Sequence, residues 1–318
     1  LKSPENRSVT DYLGIYARGL TMGMADLVPG VSGGTIAFVA GIYDELLGTI
    51  AGLRWSLVQD LFRDGLVTTW RKANLTFLLA LGSGMLTSIF ALANLLQHLL
   101  ADYPVQVWSF FFGLVAASVV LVARFIPRWN ANLLIAGAIG IAAAGWITSL
   151  PPLMQSDSLF FLALCGAIAI IAMILPGISG SFILLILGAY APVIQSITEF
   201  NVLRLSVFAV GVAVGLLGFS RLLHRLLERK RDPTLAVLTG FLLGSLNAVW
   251  PWKKNAEILY THSDGRPEWF RVNDIPPGFE GAEGIGMSLA LALAGAVTIA
   301  AIEWAGTWAE RRRAAQAK

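Results

Sequence analysis

Long, almost uncharged apolar blocks most constrain what this chain can fold into. They run over approximately 14–28, 34–43, 75–98, 105–125, 132–149, 159–175, 181–197, 205–226, 234–250 and 286–308. At about 1.5 Å per residue, block 75–98 is long enough to cross a hydrocarbon core of about 30 Å. Block 34–43 reaches about half that depth. Only 14% of the 318 residues are charged, against about 25% in an average soluble domain. With 56% hydrophobic residues and a net charge of +3, a disordered chain is excluded. A water-soluble globule would lack polar residues for its exterior. The blocks therefore predict an all-α polytopic membrane protein. Cys165 is the single cysteine, so no intrachain disulfide can form. No secretory-signal pattern precedes the first block, and none is expected to be cleaved.

The basic residues sort by side. With the N-terminus placed in the cytoplasm, Arg204, Lys253, Lys254, Arg266 and Arg271 fall outside, and the other eighteen of the 23 fall inside. The positive-inside rule then predicts that both termini are cytoplasmic. The basic pI thus follows membrane topology and gives no reason to expect nucleic acid.

The chain also repeats itself. Pro29-Gly30-Val31-Ser32-Gly33-Gly34 returns as Pro176-Gly177-Ile178-Ser179-Gly180-Ser181, 147 positions later. Gly41 and Tyr43 match Gly188 and Tyr190 at the same spacing. Further on, Gly82 pairs with Gly211, Pro104 with Pro233, Gly113 with Gly240, and Ala136-Gly137-Ala138 with Ala294-Gly295-Ala296. Each half reads as an interrupted helical hairpin, re-entrant in the favoured reading because arm 34–43 is so short and fully spanning in the alternative, followed by three transmembrane helices. The count of crossings per half is odd, so the second half is expected to be inverted relative to the first, as in many secondary transporters. The first repeat is expected over 11–150, with an amphipathic insert at 44–73 along the inner interface. The second is expected over 158–308, with an extracytoplasmic insert at 251–284 that acts as a lid or as a plain connection. Together they form a single transmembrane domain.

The Pro-Gly-x-Ser-Gly motif has its own chemistry. Proline ends a helical arm, and glycine permits the tight turn. Ser32 and Ser179 suit the N-cap of the arm that follows. Inside a membrane the resulting free N–H groups need partners, and a helix N-terminus is a ready anion site. Ser32, Gly33, Gly34 and Thr35, with Ser179, Gly180 and Ser181, are therefore the candidate phosphate-binding residues. Pro29, Gly30, Pro176 and Gly177 are the candidate hinges. Two helix ends supply about +1 against about −1.5 to −2 on a phosphomonoester, so a cation or a proton should supply the remainder. Asp26, three residues before the first turn, is a candidate proton carrier. Its place in the second half holds Met173. Arg18 and Arg204 are candidate headgroup contacts, and each also suits an interfacial anchor. Glu303 in the last block is a further candidate, or snorkels to the interface.

Enzyme chemistry is poorly supported. His98, His224 and His262 are dispersed, no metal-ligand spacing occurs, and neither motif serine has a nearby histidine base. No cofactor is expected.

The segment Ala25 to Thr35, followed by Gly41-Ile42-Tyr43, resembles the first signature of the bacterial polyprenyl-phosphate transporter (PopT) family, long filed as a domain of unknown function. Met173 to Ser181, followed by Gly188-Ala189-Tyr190, resembles the second. The resemblance runs over nearly the whole chain. It implies a multi-pass protein of the bacterial cytoplasmic membrane. Its function would be to return undecaprenyl phosphate, a lipid carrier of cell-wall synthesis, from the outer to the inner leaflet. The partners implied are that lipid and membrane lipids; protons are a candidate coupling ion through Asp26 alone, with oligomerisation open. An anion channel or small-anion transporter would use the same helix ends, and a non-catalytic membrane scaffold would use neither.

Overall fold

A computed structural model describes residues 7–27, 31–150, 156, 158–261, 267–274 and 282–316. The first half contains α1 (Val9–Asp26), α2 (Gly33–Val39), α3 (Tyr43–Gly52), α4 (Ser56–Lys72), α5 (Leu75–Asp102), α6 (Pro104–Arg124) and α7 (Ala131–Thr148). The second contains α8 (Leu159–Ile174), α9 (Gly180–Ile186), α10 (Tyr190–Thr198), α11 (Val202–Arg229), α12 (Arg231–Ser245), the strands β1 (Lys253–Thr261) and β2 (Pro267–Asn273), and α13 (Ala282–Gln316). Five segments of the described chain, on α5, α6, α7, α11 and α13, are long and apolar enough to cross a membrane. The protein is a polytopic helical membrane protein. Among the described residues, the one departure from an all-α chain is the antiparallel β1–β2 pair in the 251–284 insert.

Block 181–197 does not run as one helix. It breaks at 187–189 into α9 and α10, bent by 112°, just as α2 and α3 are bent by 115°. The cause is the same at both places. Gly41 (φ +69) and Gly188 (φ +65) adopt the left-handed conformation that glycine tolerates. Around each, the backbone closes a matching helix-end motif. Ile42 N–H donates to Ala37 and Gly41 N–H to Phe38, while Ala189 N–H donates to Leu184 and Gly188 N–H to Leu185.

α1 and α2 form a hairpin. Asp26, at the end of α1, meets the start of α2 at Gly33, and Arg18, two turns earlier, meets its end at Ala40. The second hairpin also folds back, since Gly180 at the start of α9 lies against the Ala169 carbonyl of α8.

Packing repeats as well. α1 pairs with α5 and α8 with α11, within each half, whereas α6 pairs with α13 and α7 with α12, across halves. Small residues let these backbones meet, as membrane helices require where no hydrophobic drive exists between them. A Cβ at Gly19 would strike the Leu81 carbonyl, and one at Gly84 the Tyr16 carbonyl. The counterparts are Gly166 against Phe208 and Gly211 against Ala163. Gly211 thus corresponds to Gly84, and Gly82, its partner by sequence matching, has open space around it. In the other pairs Gly113 meets Ala292 and Gly295 meets Phe110, while Gly240 meets Gly137 and Gly140 meets Val237. Gly295 therefore packs as Gly140 does, one helical turn from the matched Gly137.

The expected insert at 44–73 divides in two. α3 belongs to the packed body, with Tyr43, Leu47, Ile50 and Ala51 buried, and it lies against α11. α4 is exposed nearly throughout, including Phe62 at 85% and Leu66 at 65%. Its kink falls at Gly65, where φ is +80.

Candidate functional site

The first turn is closed by its own residues. Pro29 and Gly30 lie outside the described residues. Ser32 is extended, fully buried, and caps α2 by accepting the Gly34 N–H at 3.0 Å. Such a cap is worth about 1 kcal/mol. Asp26 Oδ1 accepts the Gly33 N–H at 2.6 Å, and the Thr35 N–H returns to the Ser32 carbonyl at 2.9 Å. Three N–H groups at the start of α2 are therefore satisfied internally.

The same turn is seated on the end of α8. Ser32 Oγ donates to the Met173 carbonyl at 2.9 Å, and Tyr43 Oη donates to the Ile174 carbonyl at 3.0 Å. Carbonyls in the last turn of a helix lack intrahelical partners, and these two find theirs in the other half of the chain. A Cβ at Gly34 would lie 2.7 Å from the Ile174 oxygen and 3.0 Å from the Met173 oxygen. Glycine is thus required for the turn to sit where it does. The first turn therefore meets the helix end that leads into the second motif.

The second turn is open. Pro176 and Gly177 (φ +103) lead to Ser179, which is buried and extended but makes no side-chain cap. Its hydroxyl instead lies 2.7 Å from that of Ser181. Among the described residues, the N–H groups of Gly180, Ser181 and Phe182 make no hydrogen bond, and all three residues are half-buried. At the first turn, Asp26 Oδ2 and Thr35 Oγ1 are buried without a partner among the described residues. A Cβ on Gly33 would sit 2.5 Å from that Oδ2.

The remaining candidates lie elsewhere. Arg18 donates to the Ala40 carbonyl at 3.1 Å and to Gly14 at 3.2 Å, so it holds the C-terminal end of α2 rather than the turn. A cation there complements the helix dipole. Arg204 stands in the first turn of α11, where its backbone N–H is capped by Asn201 at 3.1 Å. Glu303 is half-buried on α13. Among the described residues, no group of three or more His, Cys, Asp or Glu side chains could hold a metal ion.

Sequence reasoning missed Tyr43 and the carbonyls of Met173 and Ile174 as parts of the site. Tyr43 was within reach, because it belongs to the first signature. The carbonyls leave no trace in residue identity.

Two bent helix pairs inside a polytopic helical body, the first seated on the end of α8, place the chain in a class, the membrane proteins with interrupted helices. Residues 22–266 match the family described as VCA0040-like, undecaprenyl phosphate translocase-like, and the chain belongs to that family. It is 45% identical over 270 residues to a "Polyprenyl-phosphate transporter" of Vibrio cholerae, covering 85% of this chain and 88% of that protein. A "Polyprenyl-phosphate transporter" of Staphylococcus aureus is 34% identical over 254 residues, covering 74% and 84%. These relatives are transporters, not enzymes. No solved structure matches the chain.

Proposed function

We propose that this protein carries undecaprenyl phosphate across the bacterial cytoplasmic membrane, from the outer to the inner leaflet, so that the lipid carrier is reused in cell-wall synthesis. The family and the names of its relatives support a polyprenyl phosphate as the cargo. The observation that carries the site is the open turn at Gly180–Phe182, whose three N–H donors make no hydrogen bond among the described residues, together with the buried Oδ2 of Asp26 at the first turn, which has no partner among them. Donors of this kind suit a phosphate.

In this reading the two halves, 11–150 and 158–308, are inverted repeats of one transmembrane domain, with both termini in the cytoplasm. The phosphate sits near the midplane between Ser32–Thr35 and Ser179–Ser181, and the isoprenoid tail stays in lipid. The halves rock about Pro29-Gly30 and Pro176-Gly177, opening the site to each leaflet in turn. Asp26 already occupies one helix end as a carboxylate. An arriving phosphate repels it, so taking up a proton at Asp26 couples cargo to protons.

The test uses proteoliposomes holding undecaprenyl phosphate and follows how fast the lipid moves between leaflets. Ser179→Leu and Ser32→Leu should each abolish transfer while the helical circular dichroism stays unchanged. Wild-type transfer in both variants overturns the site. Equal transfer of a short, tail-less phosphate would favour the small-anion transporter instead.

A further inference from the structure

A cavity of about 600 Å³ lies between the C-terminal end of α3 and the last turns of α11, away from the paired turns. That volume falls in the range of small-ligand sites. Arg54, Arg221, His224 and Arg225 line it, with Glu228 as its one acid and Trp55 at its edge. Three guanidinia therefore face a single carboxylate. Arg221 is fixed in place, because its Nε donates to the Ala51 carbonyl at 3.3 Å and its Nη2 to Leu53 at 2.6 Å. These bonds satisfy the end of α3 and hold one planar fork against the cavity. His224 leans on Gly48, where a Cβ would come within 3.3 Å of the ring, and it pairs with Glu228 at 3.4 Å. The Arg54 and Arg225 side chains make no hydrogen bond or ion pair among the described residues.

We infer that this cavity is a second anion site, which takes a phosphomonoester headgroup. Its charge suits that ligand, which carries about −1.5 to −2, and guanidinium is the group best shaped to bind phosphate. The surroundings favour a headgroup over a free ion. Trp55 is 80% exposed, and the adjoining α4 shows Phe62 and Val67 at 85% and 66%. An exposed apolar strip beside basic residues suits a bilayer interface. The cavity also sits at the basic end of α11, which carries Arg221, Arg225, Arg229 and Lys230, the end the charge sorting assigns to the cytoplasm. It would receive the phosphate as it leaves the paired turns. The identity of the lipid rests on the proposed transport, whereas the phosphate chemistry rests on the cavity alone.

The test is binding by the full chain in detergent, read by native mass spectrometry with undecaprenyl phosphate and, separately, by calorimetry with inorganic phosphate. Arg54 and Arg225 are exposed and hold nothing else in place, so Arg54→Gln with Arg225→Gln should fold normally. The double variant should lose one bound lipid of two and bind the cavity ligand at least about tenfold more weakly. Arg63→Gln, an exposed base on α4 outside the cavity, should change neither probe. Loss confined to the lipid assigns the site to a headgroup, and loss confined to inorganic phosphate assigns it to a free anion. Unchanged binding of both, or an equal loss in Arg63→Gln, overturns the site. Cavity binding that persists in a protein unable to move undecaprenyl phosphate would defeat the transport reading and leave this site standing.

Discussion

The two turns share a motif and differ in what they do with their free N–H groups. In the first, Asp26 and Ser32 take the N–H groups of Gly33 and Gly34. In the second, Met173 stands where Asp26 would, Ser179 turns to Ser181, and the donors stay open. The difference teaches that the same motif can close one turn and leave the other open, according to the residues beside it. One half supplies a fixed turn that carries a carboxylate. The other supplies the donors that an anion would use.

The largest effect should come from making the second turn like the first. Met173→Asp places a carboxylate where it can accept from Gly180. It should close the open turn and block phosphate by repulsion and by occupying its donors. Transfer of undecaprenyl phosphate in proteoliposomes should fall by about a hundredfold, which corresponds to about 2.7 kcal/mol. Thermal unfolding in detergent should shift little. Transfer at the wild-type rate would show that the open donors are not used.

Much of this frame was legible in the sequence. The crossing helices follow from block length, and the paired turns from an unusual motif found twice. What was lost has physical causes. α3 falls within the 44–73 segment read as interfacial for its amphipathic pattern, and it carries Asp44 and Glu45 in its first turn. Glu45, however, is paired: Arg7 donates to it at 2.7 and 2.8 Å, and Asn74 at 2.8 Å. Paired charge can enter a packed body at far lower cost than free charge. The repeat register slipped in the helices rich in alanine and glycine, where identity carries little information. Gly84, not Gly82, shares the close approach of Gly211, because backbone contact and not composition decides which glycine is needed. The asymmetry of the turns was half visible. Met173 opposite Asp26 was evident, but the Gly33 cap and the seat on α8 depend on folding.

Reversing the comparison gives the next effect. Asp26→Met makes the first turn like the second and leaves the Gly33 N–H without a partner. A buried donor left unsatisfied costs about 1–3 kcal/mol, so the unfolding midpoint should drop measurably. Asp26→Asn keeps an acceptor for Gly33 and should hold the midpoint near wild type. If Asp26 carries the coupled proton, Asn should still abolish the response of transfer to an imposed pH gradient. A variant that keeps both stability and the pH response would remove Asp26 from the mechanism.

Ser32→Ala and Ser179→Ala sharpen the comparison at the smallest scale. Ser32 loses its cap on Gly34 and its bond to Met173. The loss should be about 1–2 kcal/mol, at the upper end for a cap because the freed Met173 carbonyl is also left without that donor. Ser179 makes no cap and loses only its contact with Ser181, which can turn to another partner. Its cost should stay below about 0.5 kcal/mol, as for a substitution that removes no buried network. The order should reverse for transfer: Ser179 borders the open donors, so Ala there should slow transfer more than Ala at Ser32. Equal effects of the two variants on both measurements would mean that the turns are equivalent in function despite their different hydrogen bonds.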